Sequence, residues 1–206
     1  MSLHSRIVEL RYRILFGMII LIGIGSVAFH ATLKFHLQML DELPMLWCAL
    51  VNVYIFLEDG KEVRRHGLWL PISLTLLGIV ETLLTSMSHG AFQFYLFHLS
   101  FSTSEWYCIY RMYKLYKKGD DNIRRIYLFG LRAFLLAVVC WLIDLLLCHH
   151  IQTYMPMNPQ LHAAWHVLAS VAFYLLTMSI AYDRLKDLKR EPTIKWLFSF
   201  LPYIQV

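Results

Sequence analysis

The chain has 206 residues, 58% of them apolar and 16% charged, with a formal net charge of +5 and a mean hydropathy of +0.52. An ordinary soluble domain is roughly half apolar and about a quarter charged, so a water-soluble globule, a disordered chain, a collagen-like repeat and a secreted disulfide scaffold are excluded. What remains is a polytopic membrane protein, with room at about 20 residues per span for about six or seven helices and short loops.

In chain order, Arg6, Arg11 and Arg13 precede an apolar run that starts at Ile14. The run is a full span long and no A-x-A cleavage pattern closes it, so a retained signal-anchor helix is expected at 14–33. Further spans are expected at 37–57, 67–87, 91–110, 126–148 and 161–182. Helices are the open-chain elements that satisfy their own backbone in lipid. The expectation is an all-α, six-span transmembrane bundle forming a single domain over 1–206, with 183–206 as a cytosolic tail. The third and fourth spans are separated only by the turn-like Ser88-His89-Gly90. Cys48, Cys108, Cys140 and Cys148 lie in or at the ends of apolar runs with no C-x-x-C pair, and the first three read as small packing residues.

Basic residues set the orientation. Seventeen of the nineteen lysines and arginines fall in the N-terminal segment, the 58–66 loop, the 111–125 loop and the tail after Tyr182, which a six-span chain places on one side. The other side has only Lys34, and Arg132 lies within the fifth span. The positive-inside rule makes the basic side cytosolic, and both termini with it. Contact with anionic lipid accounts for the positive charge without any nucleic acid.

Ionisable groups within spans are costly and default to functional candidates. In this topology Ser26 and His30 on the first span, Asp41 and Glu42 in the first turns of the second, Asp144 and His149 on the fifth, and His162 and His166 on the sixth all reach the lumenal leaflet. A proton-coupled transporter is disfavoured, since these groups cluster at one leaflet and form no track across the membrane. His162 and His166 stand at i, i+4 on one helix face, a spacing from which two imidazoles can bind one metal. With His30 they make the three-histidine, one-open-position ligand set of a catalytic zinc site, where a bound water becomes a hydroxide source. Asp41 can accept and return the water's proton, favoured as a carboxylate by a helix N-terminus. Ser26, four residues before His30, has a hydroxyl suited to an oxyanion or to orienting the water; bonding back to its own helix is the alternative. His98, Ser100, Ser102, Ser104 and Glu105 read as helix–helix hydrogen bonding, Glu81 and Arg132 as a pair or as snorkelling side chains, and His149 and His150 as interfacial.

Gly25-Ser26-Val27-Ala28-Phe29-His30-Ala31-Thr32-Leu33, followed by Gln38-Met39-Leu40-Asp41-Glu42-Leu43, closely resembles the signature of the alkaline ceramidases. Trp141-Leu142-Ile143-Asp144-x3-Cys148, His162-x3-His166 and Leu201-Pro202-Tyr203 follow in that family's order. The resemblance implies zinc-dependent hydrolysis of the ceramide amide to sphingosine and a fatty acid in an endoplasmic reticulum or Golgi membrane. It places the zinc ligands on His30, His162 and His166, the general base on Asp41 and oxyanion assistance on Ser26. It also implies a seven-helix architecture shared with the adiponectin-receptor group. Family members begin with a lumenal Asp-Trp-Cys-Glu-like motif that binds calcium, and a further helix; neither has a counterpart before Met1-Ser2-Leu3. Cys148, whose family partner is the cysteine of that motif, is accordingly expected unpaired, and the calcium site is not expected to form. A non-catalytic, truncated protein that binds ceramide or pairs with a full-length relative is the alternative reading.

Overall fold

The computed structural model describes residues 10–58, 66–154, 159–198 and 201–206. Six helices run through them: α1 (Leu10–Thr32), α2 (Phe35–Leu57), α3 (Trp69–Met87), α4 (Gly90–Lys118), α5 (Asp121–Tyr154) and α6 (Leu161–Asp187). An antiparallel hairpin of β1 (Thr193–Leu197) and β2 (Leu201–Gln205) follows. Arg6, Lys61, Arg64, Arg65 and the side chain of Cys148 lie outside the described residues.

Five of the helices, all but α4, are long and apolar enough to cross a membrane. The fourth has the length, at 29 residues, but not the composition. Gln93 and Glu105, two of the polar residues that interrupt it, are buried inside the bundle. Large apolar side chains stay exposed along the outer faces, among them Ile20, Ile24 and Val27 on α1, Ile72, Leu76 and Leu83 on α3, and Leu135, Leu136 and Leu146 on α5. Soluble monomers do not present apolar surface on that scale. The chain is an integral membrane bundle, and its lipid is the missing half of the hydrophobic contact.

Tight connectors force neighbouring helices to run antiparallel. Between α1 and α2 there are two residues: Leu33 takes a left-handed φ of 54°, and Lys34 is extended. Between α3 and α4 the chain turns through Ser88 and His89 into Gly90, whose φ of 65° suits a residue without a Cβ. Asp120 opens α5 as its cap, its Oδ1 accepting the Ile123 N–H at 3.0 Å. Contacts of α1 with α2, α2 with α4, α4 with α5, α5 with α6 and α6 with α1 close a five-helix ring, and α3 packs outside it on α2 and α4.

Two buried clusters fill the ring. One gathers Tyr12, Leu15, Ile55, Phe56 and Met112 around Cys48 and Cys108, which are free thiols serving as packing residues. The other, built from Met39, Leu43, Leu46, Phe97 and Phe101, lies nearer the end where the polar residues gather.

The 183–206 segment differs from the expected plain tail. α6 continues to Asp187, and the hairpin folds back on it, with the Tyr174 hydroxyl donating to the Pro202 carbonyl at 2.6 Å. The Arg125 guanidinium lies 4.5 Å from the centre of the Trp196 ring. A two-stranded hairpin is marginal by itself, and this docking supplies what it lacks.

Candidate metal centre

The position of α1 against α2 is the first requirement of the site. A Cβ at Gly25 would run into the carbonyl of Leu40, so only glycine permits this approach. The carbonyl it meets is special. Pro44, fully buried within α2, has no N–H to bond to the residue four before it, which is Leu40. The backbone group freed by the proline is thus covered by the neighbouring helix, as lipid burial requires. The same contact sets Ser26 and His30, one residue and five residues further along α1, beside Asp41.

His162 and His166 reach this point from the start of α6. The ring centroids of His30, His162 and His166 are each 4.9 Å from the other two, a near-equilateral triangle. One nitrogen from each ring lies within 4.8 Å of the others, and this is the metal-sized His/Cys/Asp/Glu cluster found among the described residues. The Nε2 atoms of His30 and His166 are 3.0 Å apart. Ligands at about 2.0–2.1 Å around a tetrahedral ion stand about 3.3 Å from one another, so the three imidazoles fit a zinc ion with small adjustment.

Two further groups control how the imidazoles point. The Ser26 hydroxyl lies 3.3 Å from His166 Nδ1, and His162 Nδ1 faces Asp144 Oδ2 at 3.5 Å. A proton on each Nδ1, held by the serine oxygen or the carboxylate, leaves Nε2 as the bare lone pair, which is how metal-ligating histidines are oriented. Asp41 Oδ2 is 3.9 Å from His30 Nε2, while its buried Oδ1 has no hydrogen-bond partner. A buried acceptor left without a partner is costly, which marks Asp41 as a residue kept for something other than packing.

All five expected site residues therefore converge, but Asp41 does so without the helix N-terminus expected to favour its carboxylate form. Asp41 is not in the first turn of its helix, since α2 begins at Phe35. The N-terminal dipole fades within one turn, so burial and the Gly25 contact, not the dipole, define its surroundings. Asp144 is the residue whose role sequence reading missed. His149 and His150, 6.1 Å apart by ring centroids, stay outside the cluster, as expected for interfacial residues.

The histidines open into a cavity of about 440 Å³ lined by α1, α2, α4, α5 and α6. Phe97, Phe101, Phe134, Val138 and Trp141 give it a mainly apolar wall, with Glu42, His98, Ser102 and Glu105 as polar interruptions. The size suits a small or chain-like ligand. A mainly apolar cavity with converged imidazoles and a carboxylate in its wall suits the binding and hydrolysis of a lipid.

The family model described as Ceramidase matches residues 1–205. The alkaline ceramidase of Arabidopsis thaliana is 30% identical over 200 residues, covering 96% of this chain and 75% of that protein. Alkaline ceramidase 3 of Mus musculus is 28% identical over 204 residues, covering 95% of this chain and 75% of the relative. For the alkaline ceramidase of Drosophila melanogaster the figures are 27% over 220 residues, with 98% of this chain and 73% of the relative covered. With a match that runs almost from end to end, the chain belongs to the ceramidase family.

Proposed function

We propose that this chain hydrolyses the amide bond of ceramide, releasing sphingosine and a free fatty acid, at the centre formed by His30, His162 and His166. The observation that carries the reading is the convergence of three imidazoles, from helices at opposite ends of the chain, beside the unpartnered Oδ1 of Asp41 at the head of an apolar cavity. A zinc ion bound by the three histidines supplies Lewis acidity and lowers the pKa of water toward neutrality.

The chain's own residues do the rest. Asp41 accepts a proton from the attacking water and delivers it to the amide nitrogen as the C–N bond breaks, so the new C–O bond and the new N–H bond balance. Ser26 holds the His166 tautomer through Nδ1, and it is close enough to the cluster to assist the developing oxyanion as well. The apolar cavity wall takes up an acyl or sphingoid chain and limits the water that reaches the carbonyl. The charge pattern supports an active site at the lumenal leaflet of an endoplasmic reticulum or Golgi membrane, with both termini cytosolic.

The test is made on protein purified in detergent. About one zinc per chain is expected, with fatty acid release from ceramide that a chelator abolishes and added zinc restores. His162→Ala is expected to lower turnover by about a hundredfold or more, given the several kcal/mol that a metal supplies to such a transition state. Full activity in His162→Ala would sink the assignment. Stoichiometric zinc without turnover would favour a ceramide-binding, non-catalytic protein instead.

A further inference from the structure

We propose that His98 and Glu42 form a subsite that binds a hydroxyl group of the lipid substrate, and so select a neutral, hydroxylated lipid. The inference rests on the ceramide reading and names which part of the substrate this wall of the cavity recognises.

The His98 ring is held by three aromatic neighbours. It lies nearly parallel to Trp141, with centroids 5.2 Å apart and planes at 23°, and it packs on Phe94 at 4.0 Å and edge-on against Phe97 at 5.1 Å. Its Nδ1 is 2.7 Å from the Phe94 carbonyl oxygen. A carbonyl only accepts, so Nδ1 carries the proton and donates it. In the neutral ring Nε2 is then a bare acceptor. Glu42, on the facing helix α2 and also on the cavity wall, is held as firmly. One of its oxygens accepts from Gln38 at 2.8 Å and the other from Gln93 at 3.3 Å.

These contacts make the function of the pair specific. Each residue spends its local hydrogen bonds on being held in place, and what both offer the cavity is acceptor capacity. A ligand meeting two fixed acceptors needs an O–H or N–H donor there. Among the described residues no lysine or arginine lines the cavity, so none of them neutralises a phosphate headgroup. The ligand chemistry that fits is a hydroxyl next to the scissile amide, which the sphingoid part of ceramide carries at C1 and C3. An imidazole serving only to pack helices together would not need to lie on the cavity wall with one nitrogen uncommitted.

The experiment compares kcat/KM for ceramide with that for analogues lacking the C1 or the C3 hydroxyl. The parent protein is expected to prefer ceramide over at least one analogue by about tenfold, the worth of one such hydrogen bond. In His98→Phe, which keeps the aromatic stack, and in Glu42→Met, that ratio is expected to fall toward one. A ratio unchanged in both variants overturns the subsite. Displacement of a fluorescent ceramide from Asp41→Asn protein by the same analogues reads binding without turnover. Loss of hydrolysis by the parent protein with a His98-dependent binding preference overturns the reaction and keeps the subsite. Hydrolysis with no hydroxyl preference in either assay does the reverse.

Discussion

Asp144 and His162 show how a residue's role can escape the sequence while the residue itself does not. Asp144 is recognisable as a polar residue near the end of an apolar span, and His162 as half of an i, i+4 pair. No spacing rule joins them, because their 3.5 Å approach depends on the rotation of α5 about its own axis against α6. His98 is harder still, since an imidazole among serines on a polar helix reads as interhelical glue until its Nδ1 is seen committed to Phe94. If Asp144 orients His162, Asp144→Ala is expected to weaken zinc retention by about ten- to a hundredfold in competition with a chelator. Asp144→Asn, whose amide oxygen still accepts from Nδ1, is expected to lose less. Equal, undiminished affinity in both variants would show that the carboxylate plays no part in holding the imidazole.

At the scale of helices, hydrophobic runs announce where each element lies, because long apolar stretches have few alternatives in a membrane. They do not announce how closely two helices approach. Gly25 is one of several small residues on α1, and only its register against Leu40 makes it indispensable. Gly25→Ala is expected to push α1 off α2, costing about 1–3 kcal/mol as an overpacked contact and loosening Ser26 and His30 from Asp41. Gly23→Ala, with nothing within 4 Å of its Cβ, is the control and is expected to be neutral or slightly stabilising. The measurements are the thermal midpoint in detergent and zinc content; unchanged values for Gly25→Ala would contradict the close approach. At the other end of the bundle, Asp120 ties the α4–α5 turn to α6. Burial opposes its charge, but the Ile123 N–H, the Lys186 ammonium and the Tyr182 hydroxyl outweigh that and hold its carboxyl below the usual value. A lowered value in the fold means a stabilising contribution present above the ordinary carboxylate pKa, about 3.9, and lost as pH falls through the lowered one. Acid melting curves of Asp120→Asn are expected to lack that step.

For the whole molecule, composition is enough to indicate a membrane bundle of about six or seven helices, and the apolar runs along the chain place six of them. The closure of five helices into a ring, the placing of α3 outside it and the docked hairpin depend on which faces meet, and hydropathy says little about that. The expected orientation is of a different kind, since it rests on charge and not on which faces meet. At one end of the bundle lie Arg11 and Arg13 on α1, Lys117 and Lys118 on α4, Arg124 and Arg125 on α5, and Lys186, Lys189, Arg190 and Lys195 around the hairpin. At the other end the α1–α2 turn carries Lys34, and the three imidazoles lie a short way below it. If the basic end is cytosolic, a membrane-impermeant thiol reagent applied to sealed microsomes should label Lys189→Cys directly. It should label Lys34→Cys only after the vesicles are permeabilised. Both positions are exposed, and changing Cys140 and Cys148 to serine removes two native thiols from the background. Labelling of Lys34→Cys in intact vesicles, with Lys189→Cys protected, would invert the bundle. It would move the histidine cluster to the cytosolic leaflet, so that sphingosine would be released on the opposite face of the membrane.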